Sequence, residues 1–399
     1  MDSTLYPPTL PAEGSDVCDM MPERCCSVRP TEASTVSITR CESYSLEIVR
    51  TAFRDLLRPL GGMEALVKPG LKVLVKPNML AAAPPEEAVT THPAVVQAVV
   101  ETVLEVGSVP LVGDSPAGSS LAAVSLASGI QEVVNDTGAS RLDLTAPVSA
   151  GSGADNAVPL ARELDQMDLI INVAKLKTHA LTGLTACVKN CFGLIPGSEK
   201  RRLHFRYPLP LAFSDYLLET YPRARPALNV LDAVIAMEGP GPRKGRPRRA
   251  GLLLAGVCGV SVDAAASAAA GLHPRDVPTL VAAGRRGLQG SDPRKIQVVG
   301  TGLDRARISG FDPGPAASSG LFRALARFPL AALYGWRHRR RPYPLIARST
   351  CTGCGRCVKM CPPQAMSGSS GTPRIRRQEC IRCYCCQEVC PEGAVQVGG

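Results

Sequence analysis

Two cysteine runs near the C-terminal end of the chain share the same internal steps. They are Cys351-x2-Cys354-x2-Cys357-x3-Cys361-Pro362 and Cys380-x2-Cys383-x2-Cys386-x3-Cys390-Pro391, and the second begins 29 residues after the first. Cysteines three apart in a tight loop place three thiolates on three corners of an iron–sulfur cube, and the fourth corner then needs a cysteine from elsewhere. Structural zinc also uses paired C-x2-C elements, but it takes four ligands rather than eight. The third cysteine of each triplet and the Cys-Pro endings favour two [4Fe–4S] clusters. Gly353 and Gly355 leave room for the backbone to fold closely around metal. Cys385, a ninth sulfur inside the second triplet, reads as a neighbour, because using it as a ligand breaks the three-residue step.

The duplicated run resembles that of bacterial two-cluster ferredoxins, in which the fourth cysteine of each run ligates the other cluster. The resemblance implies one cube on Cys351, Cys354, Cys357 and Cys390, and a second on Cys380, Cys383, Cys386 and Cys361. A chain with this tail is expected to handle electrons one at a time. Metal binding can also serve folding alone, so a purely structural or sensing tail is the alternative.

With 399 residues, 45% hydrophobic and 20% charged, the chain is long enough for a large core and two or three domains. Its first residues have neither the basic start nor the apolar run of a signal peptide. No stretch of about 18 uninterrupted apolar residues offers a membrane span. Sixteen cysteines, eight of them at cluster spacing, fit a reducing interior, and the expected compartment is the cytoplasm. The net charge of +10 is concentrated in Arg243-Lys244-Gly245-Arg246-Pro247-Arg248-Arg249 and in Arg337-His338-Arg339-Arg340-Arg341. Aromatics make up only 4% of the chain, without the interleaving expected of a nucleic-acid surface. A docking face for an acidic redox partner, donor or acceptor, explains the basic runs better.

The pattern divides the chain into a tail over 1–34, an α/β region over 35–310, a helical and basic connector over 311–349, and a ferredoxin-type unit over 350–399. Leu46, Val49, Phe53, Leu56, Leu57 and Leu60 share one helical face that ends at Gly61-Gly62. Thr91 reads as the cap of a second helix with Pro93 in its first turn. Short apolar strands are expected at 71–75, 109–112, 169–174, 228–234, 251–257 and 296–299. Their alternation with helices implies an α/β fold, a largely parallel sheet with helices on both faces, joined to a small α+β ferredoxin-like unit. The stretch 316–341 carries apolar residues followed by arginines, a pattern suited to peripheral membrane contact or to packing on its own domain. The basic connector predicts that the tail is separable, with ligand binding surviving its removal.

Polar residues recur where the strands end, the place where ligands collect in open α/β sheets. Lys76 and Asn78 follow one strand, Asp114 another, and Lys175, Lys177 and His179 a third; Lys189, Asn190, Lys200, Asp232, Glu238 and Asp263 come later. The strings Lys76-Pro77-Asn78, Thr91-His92-Pro93, Gly113-Asp114-Ser115-Pro116, Lys175-Leu176-Lys177-Thr178-His179, Lys189-Asn190-x-Phe192-Gly193 and Glu238-Gly239-x-Gly241-Pro242 resemble the family called domain of unknown function 362 over roughly residues 35 to 310. Members of that family often carry a ferredoxin tail, and the resemblance implies a shared α/β architecture and cleft.

Residue chemistry supplies the rest of the reading. Lys76, Lys175 and Lys200, with Asn78, Asp114 and Asn190, form an expected binding set for an anionic small molecule. Lys177, His179, Lys189 and Glu238 form the expected catalytic set, with His179 or Glu238 moving a proton; His204 is a further candidate near neutrality. Asp263 reads as a cap or first-turn residue of its own Ala-rich helix. Cys187 and Cys191, four apart, read as small buried residues. No dinucleotide or phosphate-loop glycine motif follows a strand. The expected function is an iron–sulfur oxidoreductase or electron-transfer protein acting on an anionic substrate or cofactor. A non-redox enzyme or binding module with a structural tail, and a scaffold or maturation partner for another redox enzyme, are the rivals.

Overall fold

The computed structural model describes residues 35–147, 158–314, 341–368 and 371–397. The expectations for the tail over 1–34, and for the helix and membrane contact over 316–340, fall outside them. Nine strands form one sheet: β1 (Thr35–Arg40), β2 (Lys72–Pro77), β3 (Val109–Asp114), β4 (Ser140–Asp143), β5 (Leu169–His179), β6 (Gly183–Thr185), β7 (Pro226–Glu238), β8 (Arg246–Gly256) and β9 (Gln297–Gly300). The order is β4-β3-β2-β5-β7-β8-β1-β9, with β6 pairing the far end of β5. Pairing is parallel from β4 to β7 and between β1 and β9, and antiparallel where β8 and β6 join.

Helices cover both faces, because each strand alternates apolar residues to two sides. On one face α1 (Leu46–Leu57) and α2 (Pro93–Glu105) bury Val49, Phe53, Val95 and Val99 against Val73, Ile171 and Val230. The cap of α2 is His92, whose Nδ1 accepts from the Ala94 N–H at 3.2 Å. Thr91 instead donates to the Val173 carbonyl and accepts from the Asn78 N–H, so it ties two strands rather than capping the helix. Two short helices, α3 (Leu121–Ala127) and α4 (Ile130–Thr137), lead into β4. On the opposite face lie α5 (Cys187–Asn190), α6 (Gly197–Arg206), α7 (Pro210–Ala224), α8 (Gly259–Ala269) and α9 (Pro278–Arg285), enclosing Phe213, Leu217, Val262 and Leu280.

Several strands run farther than their apolar stretches. β5 continues through Lys175, Lys177 and His179, all buried, and β2 reaches Lys76. These side chains therefore project from the sheet rather than from loops after it. Burial of a charge is tolerated only with a partner, and each lysine has one, as described below.

The C-terminal unit has a two-fold pseudo-repeat. Helix α10 (Arg356–Met360) and helix α11 (Cys385–Val389) each follow a cysteine loop. Strand pairs β10 (Pro344–Ile346) with β13 (Val395–Val397), and β11 (Met366–Ser367) with β12 (Arg374–Ile375), close the unit. Gly353 and Gly355 adopt left-handed backbone, and Arg382 and Tyr384 do so at the equivalent places in the second run. A non-glycine residue there costs about 1 kcal/mol, which stacking offsets: Arg382 lies 4.0 Å from the Tyr343 ring centroid, and Arg341 lies 4.5 Å from that of Tyr384.

Candidate functional site

A cleft of about 620 Å3, open mouth included, lies between the sheet's strand ends and the C-terminal unit. Asn78, Asp114, Thr185, Lys189, Asn190, Lys200 and His204 line one side, and Met360, Cys385, Glu388 and Val389 of the cysteine-rich unit line the other. The contact between the two parts is specific. His179 Nε2 lies 2.9 Å from Glu388 Oε1, Arg201 donates to the Lys359 carbonyl at 3.0 Å, and Gln387 donates to that of Pro240 at 3.3 Å.

The strand alternation explains which polar groups reach the cleft. Asn78, just beyond β2, donates to Asn190 Oδ1 at 2.9 Å; Asn190 donates to Asn172 at 2.8 Å, and Asn172 to Asn229 at 2.9 Å. This amide chain crosses from β2 to β7 and fixes α5 under the strand ends. Lys177 is buried and donates to Asn78 Oδ1 at 2.8 Å and to the Val89 carbonyl at 2.7 Å. Burial first, then nearby Lys189, push its pKa well below the ordinary lysine value. Lys76 pairs with Asp114 at 3.0 Å, and a side chain at Gly193 would collide with both groups, so this position requires glycine.

Lys189 differs from these lysines. It is partly exposed to the cleft, and among the described residues its ammonium has no hydrogen-bonding acceptor; it lies 6.0 Å from the Phe192 ring centroid. Burial lowers its pKa, and Glu388 and Cys385 act in the opposite direction. Lys200 bonds the Ser115 carbonyl, and burial brings its pKa down to about 8. Two further atoms facing this region, Thr185 Oγ1 and His204 Nδ1, are buried without a hydrogen-bond partner. Such orphaned groups are costly unless a ligand or water completes them.

Five of the ten expected site residues do not line the cleft: Lys76, fully buried and paired with Asp114, and Lys175, Lys177, Glu238 and His179. Lys175 pairs with Asp232 at 2.8 Å and donates to the Tyr44 hydroxyl, beneath a Tyr44–His92 ring stack, and does not line the cleft. Lys177 supports the cleft from behind, because both its acceptors are protein atoms. Glu238 accepts from the Asp312 N–H at 3.0 Å and does not line the cleft either. The loop after it instead holds the C-terminal unit, through Pro240 and through Lys244 packed on Gly393.

His179 is not placed to exchange protons near neutrality. Its Nδ1 accepts from the N–H groups of Leu181 at 3.0 Å and Thr182 at 3.3 Å, so Nε2 carries the hydrogen donated to Glu388. Burial, and then Lys189, lower its pKa to about 3. Asp263 is likewise not the cap of its own helix: it sits within α8 and accepts from the N–H groups of Cys187 at 2.7 Å and Val188 at 3.2 Å, capping α5 across the core. Burial raises its pKa to about 7 despite those donors. Cys187 and Cys191 are fully buried, and burial pushes their thiols up, that of Cys191 to about 12.

His92, His179 and His204 are all held neutral by burial, with pKa values of about 4, 3 and 4. The unfolded chain takes up protons at these sites below about pH 6.5 while the folded chain does not, so stability must fall as pH drops from about 6.5 toward 4. Denaturant midpoints should decline over that window. The His92→Asn variant should show a shallower decline, and a flat profile in the wild type would contradict these neutral states.

The cysteines divide by position. Cys351, Cys354, Cys357 and Cys390 line one small cavity together with Gly353, Gly355 and Pro373. Cys361 has Cys383 and Cys380 as electrostatic neighbours, and Cys386 has Cys383, Cys380, Cys361 and Cys357. Cys390 thus lies with three cysteines of the first run and Cys361 near two of the second, although among the described residues no three ligands converge as a formed metal site. Sequence reasoning missed Thr185 and the cleft face of the C-terminal unit; its one visible signal was Glu388, a charge placed between Cys386 and Cys390.

Comparison with known proteins agrees with this architecture. Residues 73–268 match the family model described as Domain of unknown function (DUF362), and residues 343–391 match a 4Fe-4S dicluster domain. Thylakoid-associated protein sll1697 of Synechocystis sp. is 37% identical over 261 residues, which span 64% of this chain and 80% of that protein. Among the described residues no helix is long and apolar enough to cross a membrane. With its α/β sheet, its cleft motifs and its C-terminal 4Fe-4S dicluster domain, the chain belongs to the DUF362 family.

Proposed function

We propose that this chain is an iron–sulfur oxidoreductase whose substrate or cofactor is an anionic small molecule held between the α/β sheet and the ferredoxin-type unit. Cys351, Cys354, Cys357 and Cys390 hold one cluster, and Cys380, Cys383, Cys386 and Cys361 the other. When bound, such clusters supply one-electron chemistry. The observation that carries the reading is the position of Cys385: it lies between two cysteines of the second set, lines the cleft, and is within electrostatic reach of Lys189.

The chain's own residues make the cleft an anion site. Lys189, Lys200 and Arg201 line it against two carboxylates, Asp114 and Glu388, and the Lys76 ammonium pairs with Asp114 from behind. Lys189 supplies the uncommitted ammonium, and Thr185 and His204 supply hydrogen-bonding atoms that lack protein partners. Met360 and Val389 exclude water from the tail side, which strengthens each of these interactions. The thirteen described cysteines form no disulfide, which suits a reducing compartment such as the cytoplasm.

The test is retention of the ligand. Native mass spectrometry of anaerobically purified protein should detect a bound anionic small molecule. Lys189→Ala should weaken its retention about ten- to a hundred-fold, the worth of one charge-assisted hydrogen bond, with iron content unchanged. Equal retention in the variant, or no binding of any carboxylate or phosphate across a calorimetric panel, would remove the anion site.

A further inference from the structure

The two cysteine sets have different surroundings. In the second set Cys361, Cys383 and Cys386 are buried and Cys380 is half-buried, and the neighbouring Cys385 faces the cleft. In the first set Cys354 is exposed and Cys351 half-buried, so this site reaches the surface through the Cys351–Gly355 loop. Beside residues lining that cavity stand three exposed arginines whose side chains form no ion pair or hydrogen bond with any described residue. Arg356 lies between the lining residues Gly355 and Cys357, Arg374 follows the lining residue Pro373, and Arg348 is two residues beyond the lining residue Ile346. The acidic residue in the lining, Glu392, lies within the field of Arg243, as does Glu87.

Over residues 341–397 there are eight basic residues against three acidic ones. A four-thiolate cube is itself an anion, so an uncompensated outer site would repel an acidic protein. The arginine rim reverses that sign locally, and charge complementarity of this kind sets association rate and orientation. From this rim we infer that the outer cysteine site is the docking face for an acidic one-electron carrier protein. In the exchange the carrier loses one electron and the outer site gains it, and no bond or proton changes hands. The inference rests on the cluster assignment above, but not on the identity or the existence of a cleft ligand.

A strongly acidic [2Fe–2S] ferredoxin is a suitable probe for the full-length, cluster-loaded protein. Association should weaken about ten-fold or more between about 0.05 and about 0.5 M salt, because exposed charges are screened over that range. The triple variant Arg348→Glu, Arg356→Glu, Arg374→Glu should lose about ten-fold or more in both association and bimolecular reduction rate. Its iron content and its end-point reduction by dithionite should be those of the wild type. A basic cytochrome c should respond in the opposite sense, binding the variant better than the wild type.

Should the triple variant fail to hold iron, Arg348→Glu, outside both cysteine runs, together with the wild-type salt dependence, decides the question. Salt-independent association in the wild type, or unchanged ferredoxin binding in the variants, overturns the docking face. Lys189→Ala should leave ferredoxin binding intact. Loss of ligand retention there, with normal docking, therefore bears on the cleft alone, and failure of docking with normal retention bears on the rim alone.

Discussion

Replacing Cys390 with alanine should cut iron and acid-labile sulfide from about eight of each per chain to about four. The cluster that disappears should be the one held mainly by the first run. The reason is spatial: Cys390 belongs by sequence to the second run, yet lines the same cavity as Cys351, Cys354 and Cys357. Cys385→Ala is the companion variant, since Cys385 lies on the cleft side and outside both sets; it should keep about eight iron. Iron analysis with electron paramagnetic resonance of the dithionite-reduced proteins measures both. Zinc in place of iron, or full iron in the Cys390 variant, would overturn the crossed assignment.

Ending the chain at Gly314 should leave the sheet folded but disable the cleft. Both large apolar cores lie within residues 36–311, so the α/β part has its own source of stability. The cleft, however, would lose Met360, Cys385, Glu388 and Val389, and His179 would lose the acceptor of its Nε2 hydrogen. Anion affinity should fall at least about ten-fold through the higher dielectric of an open site, while the far-ultraviolet circular dichroism of the α/β part persists. Calorimetry on the shortened chain tests this, and undiminished affinity would mean that the sheet alone forms the site. This outcome departs from the sequence-based expectation of a tail removable without harm to binding, because separate cores do not imply separate sites.

The sequence by itself determined the two cysteine loops, the apolar strands and the helix faces, because each depends on local spacing. A thiolate triplet is set by three-residue steps, α1 by a 3.6-residue period, and a sheet strand by a run of apolar residues bounded by turns. The same local rules placed Asn78, Asp114, Lys189, Asn190 and Lys200 near the strand ends, and these five do meet in one cleft. They could not separate those five from Lys76, Lys175, Lys177, His179 and Glu238, which carry equally suggestive chemistry but do not line it.

Only the tertiary structure decided that division, since it depends on which partner each charge meets across many residues. Lys175 is satisfied by Asp232, Lys177 by Asn78 and Val89, and His179 by Glu388, 209 residues away. Lys189 has the same side chain as the first two, but it donates to no described acceptor, and only the field of Glu388 and Cys385 compensates it. A buried charge that finds its complement within the protein becomes part of the scaffold, and one that does not is left to a ligand. That distinction follows from the meeting of distant segments, which no local pattern in the chain records.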